Sequence, residues 1–368
     1  MNAKAAIFKG AKKPFEIREY AVTPPDEGMA ELKLTASGIC GTDVHFYNGK
    51  LPLEPPKVLG HEFVGKIEKI SDADSKKYNL SVGDSVISDI AVPCGKCKLC
   101  KNGDDANCVN MGVTNGGNPD VKPHFYGGFA EVSYAPAANL VKIPKDVDTL
   151  AACVFACPGP TVIHTFNLAK RASCGIENAD TAVVIGTGPV GCMAIAYFAH
   201  LGIENIIVLT LYGSKESDEL VMSLGATKII HIADMTEGDI VSEITDISGG
   251  LGADVAFEAS GNPKAVPLAL KYLRNRGVFL VPGQYSDSGP VEIEPHLITF
   301  KALCIIGSSQ YSMKDVREYL EFLESDRKLQ EKIKALATCY KVEDINTAFS
   351  DIKMHKNIKT VLVRGKDD

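Results

Sequence analysis

Between Gly38 and Glu62 the chain reads GICGTDVHFYNGKLPLEPPKVLGHE. Within 23 residues it offers one thiol (Cys40), two imidazoles (His45, His61) and two carboxylates (Asp43, Glu62). Thiolate with imidazole is a donor set that suits Zn²⁺. Twenty residues separate Cys40 from His61, too many for one helix face, so a fold must gather them. Gly38, Gly41 and Gly60 flank the donors and predict tight turns that present them. The competing reading is that these Cys and His residues are plain core.

A second stretch, CGKCKLCKNGDDANC, places Cys94, Cys97, Cys100 and Cys108 in a C-x2-C-x2-C-x7-C array. Four thiolates on one short loop can close a tetrahedron around Zn²⁺ with no open position, the structural type of site. Two disulfides compete, but adjacent x2 spacings would strain them, and nothing else points to secretion. An iron–sulfur cluster is a weaker rival with related spacings.

A third stretch, VVIGTGPVG, gives Gly186-x-Gly188-x-x-Gly191, with Pro189 and Val190 inside the pattern. It follows the apolar run from Thr181 to Ile185 and opens a helical run, CMAIAYFAHLG. Strand, turn and helix in that order make a dinucleotide fingerprint, because the glycines let amides at a helix N-terminus approach a pyrophosphate. A ligand-free glycine turn is the alternative.

With these residues in hand, the chain resembles the zinc-containing medium-chain alcohol and polyol dehydrogenases, the group of sorbitol and threonine dehydrogenases. GICGTDVH, LGHE, the four-cysteine loop, the Gly186 fingerprint and ACPGPTVIHT around Cys157 carry the resemblance over nearly the whole length. It implies an α/β protein with a barrel-like (GroES-like) catalytic domain, residues 1–156 and 310–368, and a Rossmann domain, residues 157–309. It also implies one catalytic and one structural zinc per chain. The first would be held by Cys40, His61 and Cys157, with Glu62 approaching from behind. Sorbitol dehydrogenases carry a glutamate where Cys157 stands, so this position departs toward alcohol-dehydrogenase ligation, and Cys153 is its rival. Asp43 would accept the other ring N–H of His61. Thr42 and His45 match the family's hydroxyl–imidazole proton relay.

The elements that must position these groups follow from the patterning. At 368 residues two domains are expected. Short alternating runs (KAAIFK, FEIREY, MAELKLTA, FVGKIEKI, DSVISDI, FAEVSYAP, LVKIP) predict a β-rich first domain. The segment NMGVTNGGNPDVKPHF has no period and reads as a surface loop. From Thr181, six apolar strands alternate with helical segments, which predicts a parallel, doubly wound sheet. The last helix, MKDVREYLEFLESD, and strand, IKTVLVRG, return to the first domain by resemblance alone.

A net charge of −7 with no basic block argues against nucleic acid or an anionic membrane as partner. No run of 18 apolar residues occurs and MNAKAAIFKG lacks a signal peptide's apolar core, so a cytoplasmic protein is expected. Cys153, Cys174, Cys192, Cys304 and Cys339 read as small apolar fillers.

In NAD-preferring relatives an acid ends the second strand of the nucleotide fold. Here NIIVLTLYGSKES puts Thr210 there, and Ser214 and Lys215 follow as a potential 2′-phosphate grip, which favours NADP over NAD. The leading expectation is hydride transfer between a nicotinamide and a small secondary alcohol or polyol, in a homodimer or homotetramer. Phe46 and Tyr47 could line its pocket or equally belong to the core. A zinc-free quinone or enoyl reductase would lack the donors at Cys40 and His61. A silent nucleotide-binding protein would not need them.

Overall fold

The computed structural model describes residues 1–364 and divides into two compact units. One joins Met1–Pro160 to the tail from Gln310 onward, and the other is Thr161–Ser309.

In the first unit the strand Met29–Gly38 is central. It pairs antiparallel with Glu62–Lys69, with Lys359–Val363 and with Val132–Pro136 in a seven-stranded sheet. Ser85–Ser88 and Leu140–Lys142 extend one edge and Ala337–Tyr340 the other. A three-stranded sheet of Glu16–Ala21, Asn2–Phe8 and Lys57–Val58 completes the β-rich body. Alternation sets the inward face: Leu32, Leu34, Phe63, Ile67 and Val86 pack together on one side. Opposite, Phe8, Phe15, Phe129 and Phe349 form an aromatic core. Tyr47 stacks on Phe15 at 5.8 Å and Phe46 packs alongside, so both are partly buried against this core. The closing strand returns to this unit because Val361 and Leu362 are buried beside Gly38 and Ser37.

Two elements position donors. The helix Gly41–Asn48, where tight turns were expected, starts at Cys40 as N-cap. The helix Pro158–Arg171 follows Cys157 and opens on a proline, whose fixed φ suits the first turn. Before it, Thr149–Val154 is capped by Asp148 and held by the Tyr319 hydroxyl, which donates to the carbonyls of Ala151 and Ala152.

The second unit is a six-stranded parallel sheet. Its order is Lys228–His231, Asn205–Thr210, Thr181–Ile185, Ala253–Glu258, Leu273–Val281 and Cys304–Gly307. Thr181–Ile185 is buried along its whole length, as a strand covered on both faces must be. Cys174 and Cys304 are not fillers: a disulfide joins them across 130 residues of sequence, a separation at which spacing carries no signal. Cys153 and Cys192 are buried, whereas Cys339 is exposed.

The segment 110–125 is mostly irregular, but Gly112–Val113 pairs with Ala91–Val92 and His124 stacks on Tyr20 at 4.5 Å. Among the described residues no helix is long and apolar enough to cross a membrane.

Candidate metal centre and nucleotide site

One donor from each of Cys40, His61, Glu62 and Cys157 lies within 4.8 Å of all the others. Three segments meet there: the cap of one helix, the start of the strand Glu62–Lys69 and the residue before Pro158. Asp43 is what fastens the first two. Its Oδ2 accepts the Cys40 amide at 3.0 Å and its Oδ1 accepts the Gly60 amide at 3.3 Å, clamping both backbones next to their donors. The same Oδ1 lies 3.6 Å from His61 Nδ1, a buried charge contact on the ring nitrogen as well as a backbone clamp.

The electrostatics follow from crowding. A hydrogen bond with Cys157 holds the Cys40 thiol well below its ordinary range, and that same bond with burial pushes Cys157 well above. Burial opposes the His61 imidazolium, yet the nearby Asp43 carboxylate and Cys40 thiolate outweigh it and raise its pKa. Burial pushes Glu62 up to about 7 against the pull of the Lys359 ammonium. One carboxylate oxygen of Glu62 pairs with Lys359, while Oε1 is buried with no partner. Two sulfurs, an imidazole and a carboxylate with an unanswered oxygen fit a tetrahedral Zn²⁺ site whose fourth position can exchange.

Thr42 and His45 are one helical turn apart, so both face the same way from the helix. The Cys40 thiol reaches Thr42 Oγ1 at 3.8 Å. Burial, then the charge of Lys50, lowers the pKa of His45. The rival ligand Cys153 is turned away; its thiol donates to the Glu62 carbonyl at 3.3 Å.

The donor sulfurs of Cys94, Cys97, Cys100 and Cys108 form a second group, likewise within 4.8 Å of one another, and none is in a disulfide. Backbone amides point at the sulfurs: Cys94 N–H to Cys108 at 3.2 Å and Cys97 N–H to Cys94 at 3.4 Å. Those from Lys96 and Cys97 bring Cys94 down to about 6, whereas burial and neighbouring thiols push Cys100 up to about 12. The amides thus favour thiolates at Cys94 and Cys97.

In the second unit Gly186 turns the chain out of Thr181–Ile185, and Gly188 is the N-cap of the helix Pro189–His200, with Pro189 and Val190 in its first turn. A Cβ on Gly191 would run into the Gly186 carbonyl, so only glycine lets helix and strand close. No side chain caps this helix, which leaves its first amides for an anion. Thr210 ends the second strand, and its hydroxyl donates to the Tyr212 carbonyl at 2.7 Å. Ser214 caps the next helix by accepting from Ser217 N–H, and Lys215 stands in solvent 3.9 Å from Glu219.

Sequence reasoning missed three participants. Lys359 was visible only as a lone cation in an apolar closing run. Tyr311 is buried within electrostatic reach of Cys157, Glu62 and Cys40. Asp218 pairs with His231 at 2.9 Å beside Gly213, close to the strand end read for cofactor choice.

A doubly wound parallel sheet with a glycine fingerprint in one unit, and a β-rich other unit that carries both donor groups, define an α/β dehydrogenase of the metal-dependent type. Family models agree: an alcohol dehydrogenase GroES-like domain matches residues 26–145 and a zinc-binding dehydrogenase domain matches 189–325. An L-threonine 3-dehydrogenase of Caldanaerobacter subterraneus subsp. tengcongensis is 32% identical, over 81% of this chain and 80% of that protein. An NDMA-dependent alcohol dehydrogenase of Amycolatopsis methanolica is 28% identical over 100% of both. Among solved structures, an alcohol dehydrogenase of Thermotoga maritima superposes with TM-score 0.88 at 23% identity, covering 99% of each chain. An Escherichia coli CFT073 alcohol dehydrogenase complexed with NADH gives 0.80 at 25%, covering 99% of each. The chain belongs to the zinc-containing medium-chain alcohol dehydrogenase family, and it is an oxidoreductase acting on small molecules.

Proposed function

We propose that this dehydrogenase interconverts a secondary alcohol or polyol and its ketone, prefers NADP(H), and holds one catalytic and one structural zinc per chain. The observation that carries the proposal is the convergence of Cys40, His61, Glu62 and Cys157 within 4.8 Å. When bound, the zinc supplies a Lewis acid that lowers the alcohol's pKa, and the nicotinamide supplies the hydride acceptor. Cys40, His61 and Cys157 would hold the metal, and Asp43 keeps the first two in place. With its pKa lowered by burial, His45 is neutral at pH 7 and can take the proton that Thr42 passes outward. Cys94, Cys97, Cys100 and Cys108 would close around the structural ion. Gly186, Gly188 and Gly191, with the amides following Pro189 and Val190, would seat the pyrophosphate. A zinc-free reductase needs no such donors and is not favoured.

Thr210 in place of a strand-end acid supports NADP(H), since no carboxylate there repels a 2′-phosphate, and Asp218 is engaged by His231. Solvent-exposed Lys215, next to the cap Ser214, is free to swing toward such a group. Comparing kcat/KM for NADP⁺ and NAD⁺ tests this. NADP⁺ should be preferred, and Lys215→Ala should lower the NADP⁺ value alone; a clear NAD⁺ preference overturns it. The edge strand Cys304–Gly307, with Ile305 exposed, supports a homo-oligomer built through the second unit. A light-scattering mass of one chain would remove that reading.

A further inference from the structure

Lys359 is the first residue of the closing strand and is 1% exposed. Its ammonium reaches across Gly38 to Glu62 Oε2, and the Ile39 carbonyl lies 3.5 Å from Nζ. The path exists because Gly38 has no side chain. It pairs with Glu62 on one side and with Val361 on the other, and a Cβ there would fall on Glu62 Oε2 and within 2.9 Å of Lys359 Cε. Glu62, itself 0% exposed, thus has one oxygen held by a cation and the other, Oε1, without a partner. Its carboxylate also belongs to the donor group of Cys40, His61 and Cys157.

Burying an ammonium is costly unless it is paired, so its placement here calls for a partner it must hold. Two thiolates already neutralise a divalent cation, so the metal does not need the charge of a third anion to stay bound. A cation at Lys359 competes with the metal for the one carboxylate in reach. We propose that Lys359 is a positioning residue: it restrains Glu62 and keeps that carboxylate from becoming a permanent fourth donor, so that one coordination position stays exchangeable. The inference rests on the metal-centre reading above.

The test uses full-length protein loaded with Co²⁺, followed by visible absorption and by release to a chelator, with azide as the exchangeable probe. Native protein should change its spectrum on azide addition. In Lys359→Met the spectrum should stop responding and metal release should slow by about tenfold, a change of the size that outer-shell partners make in metal affinity, here of opposite sign because the metal gains a donor. Gly38→Ala, which wedges the pair apart, should move both readouts the same way and less far. The double variant Lys359→Met/Glu62→Gln removes both charges and should regain the azide response, which a merely structural loss would not. A Lys359→Met protein with native azide response and native release overturns the proposal. If native protein takes up cobalt only on the four-cysteine loop, the metal-centre reading fails, and this one with it.

Discussion

The two donor groups of this molecule solve one problem in opposite ways. Cys94, Cys97, Cys100 and Cys108 lie on 15 consecutive residues, and their own backbone amides aim at the sulfurs. Cys40, His61, Glu62 and Cys157 span 118 residues and are gathered by a helix cap, a strand and a second helix, with Asp43 and Lys359 as fasteners. The local group is closed: four like donors and no carboxylate. The assembled group is mixed and keeps a carboxylate oxygen without a partner. A loop that makes its own site suits a metal that only holds structure, whereas a site with an exchangeable position needs donors from elements that a loop cannot supply.

The strongest way to break this contrast is to delete a donor from the assembled group. Cys40→Ala or His61→Ala should abolish turnover and lower metal content from about two ions per chain to about one, with the fold retained. Elemental analysis beside circular dichroism checks this, and loss of both metals from folded protein would refute the separation of the two sites.

Cys94→Ser should do the reverse. Tm should fall, at about 2–4 °C for each kcal/mol lost in a domain of this size, while activity per folded molecule persists. A scanning calorimetry trace that matches the native one would show the loop to be dispensable.

Asp43→Asn sharpens the comparison within the assembled site, since the amide keeps the shape but weakens the clamp on Cys40 and Gly60. Removing such an orienting partner typically costs about 10- to 100-fold in metal affinity or activity. Metal titration should show that loss for the catalytic ion only.

The smallest effect concerns Asp89, on the chain leading into the four-cysteine loop. It is 1% exposed, and burial raises its carboxyl to about 7. A folded-state pKa above the unfolded value means that the folded protein binds the extra proton, so stability declines as pH rises from about 4 through 7. Asp89→Asn has no such proton to lose and should gain on the native protein over that window, by roughly 1 kcal/mol or more. Denaturation at pH 5 and pH 8 measures the gain, and equal differences at both values would contradict it.

Much of this was open to reading along the chain. The four-cysteine loop needs no tertiary knowledge, because its spacing alone brings four sulfurs together. The fingerprint was also legible, since Gly186, Gly188 and Gly191 sit between a strand and a helix whose patterns are local. The helix at Gly41–Asn48 was not, for it is short and flanked by glycines, so its donors read as a turn. Phe46 and Tyr47 read equally as pocket or core because a half-polar helix gives no inward stripe to follow; only the tertiary structure packs both against the cluster of Phe15 and Phe349.

What the sequence by itself determined is the inventory: the donor types, their local spacings, the parallel-sheet rhythm, and the missing acid at Thr210. Only the tertiary structure decided which distant groups touch, including the Asp43 clamp, the Cys174–Cys304 bond and the Lys359 ammonium on Glu62. The reason is physical. Local motifs are set by backbone geometry over a few residues, whereas a buried lysine 297 positions from its carboxylate is placed by the pairing of the strands that carry both.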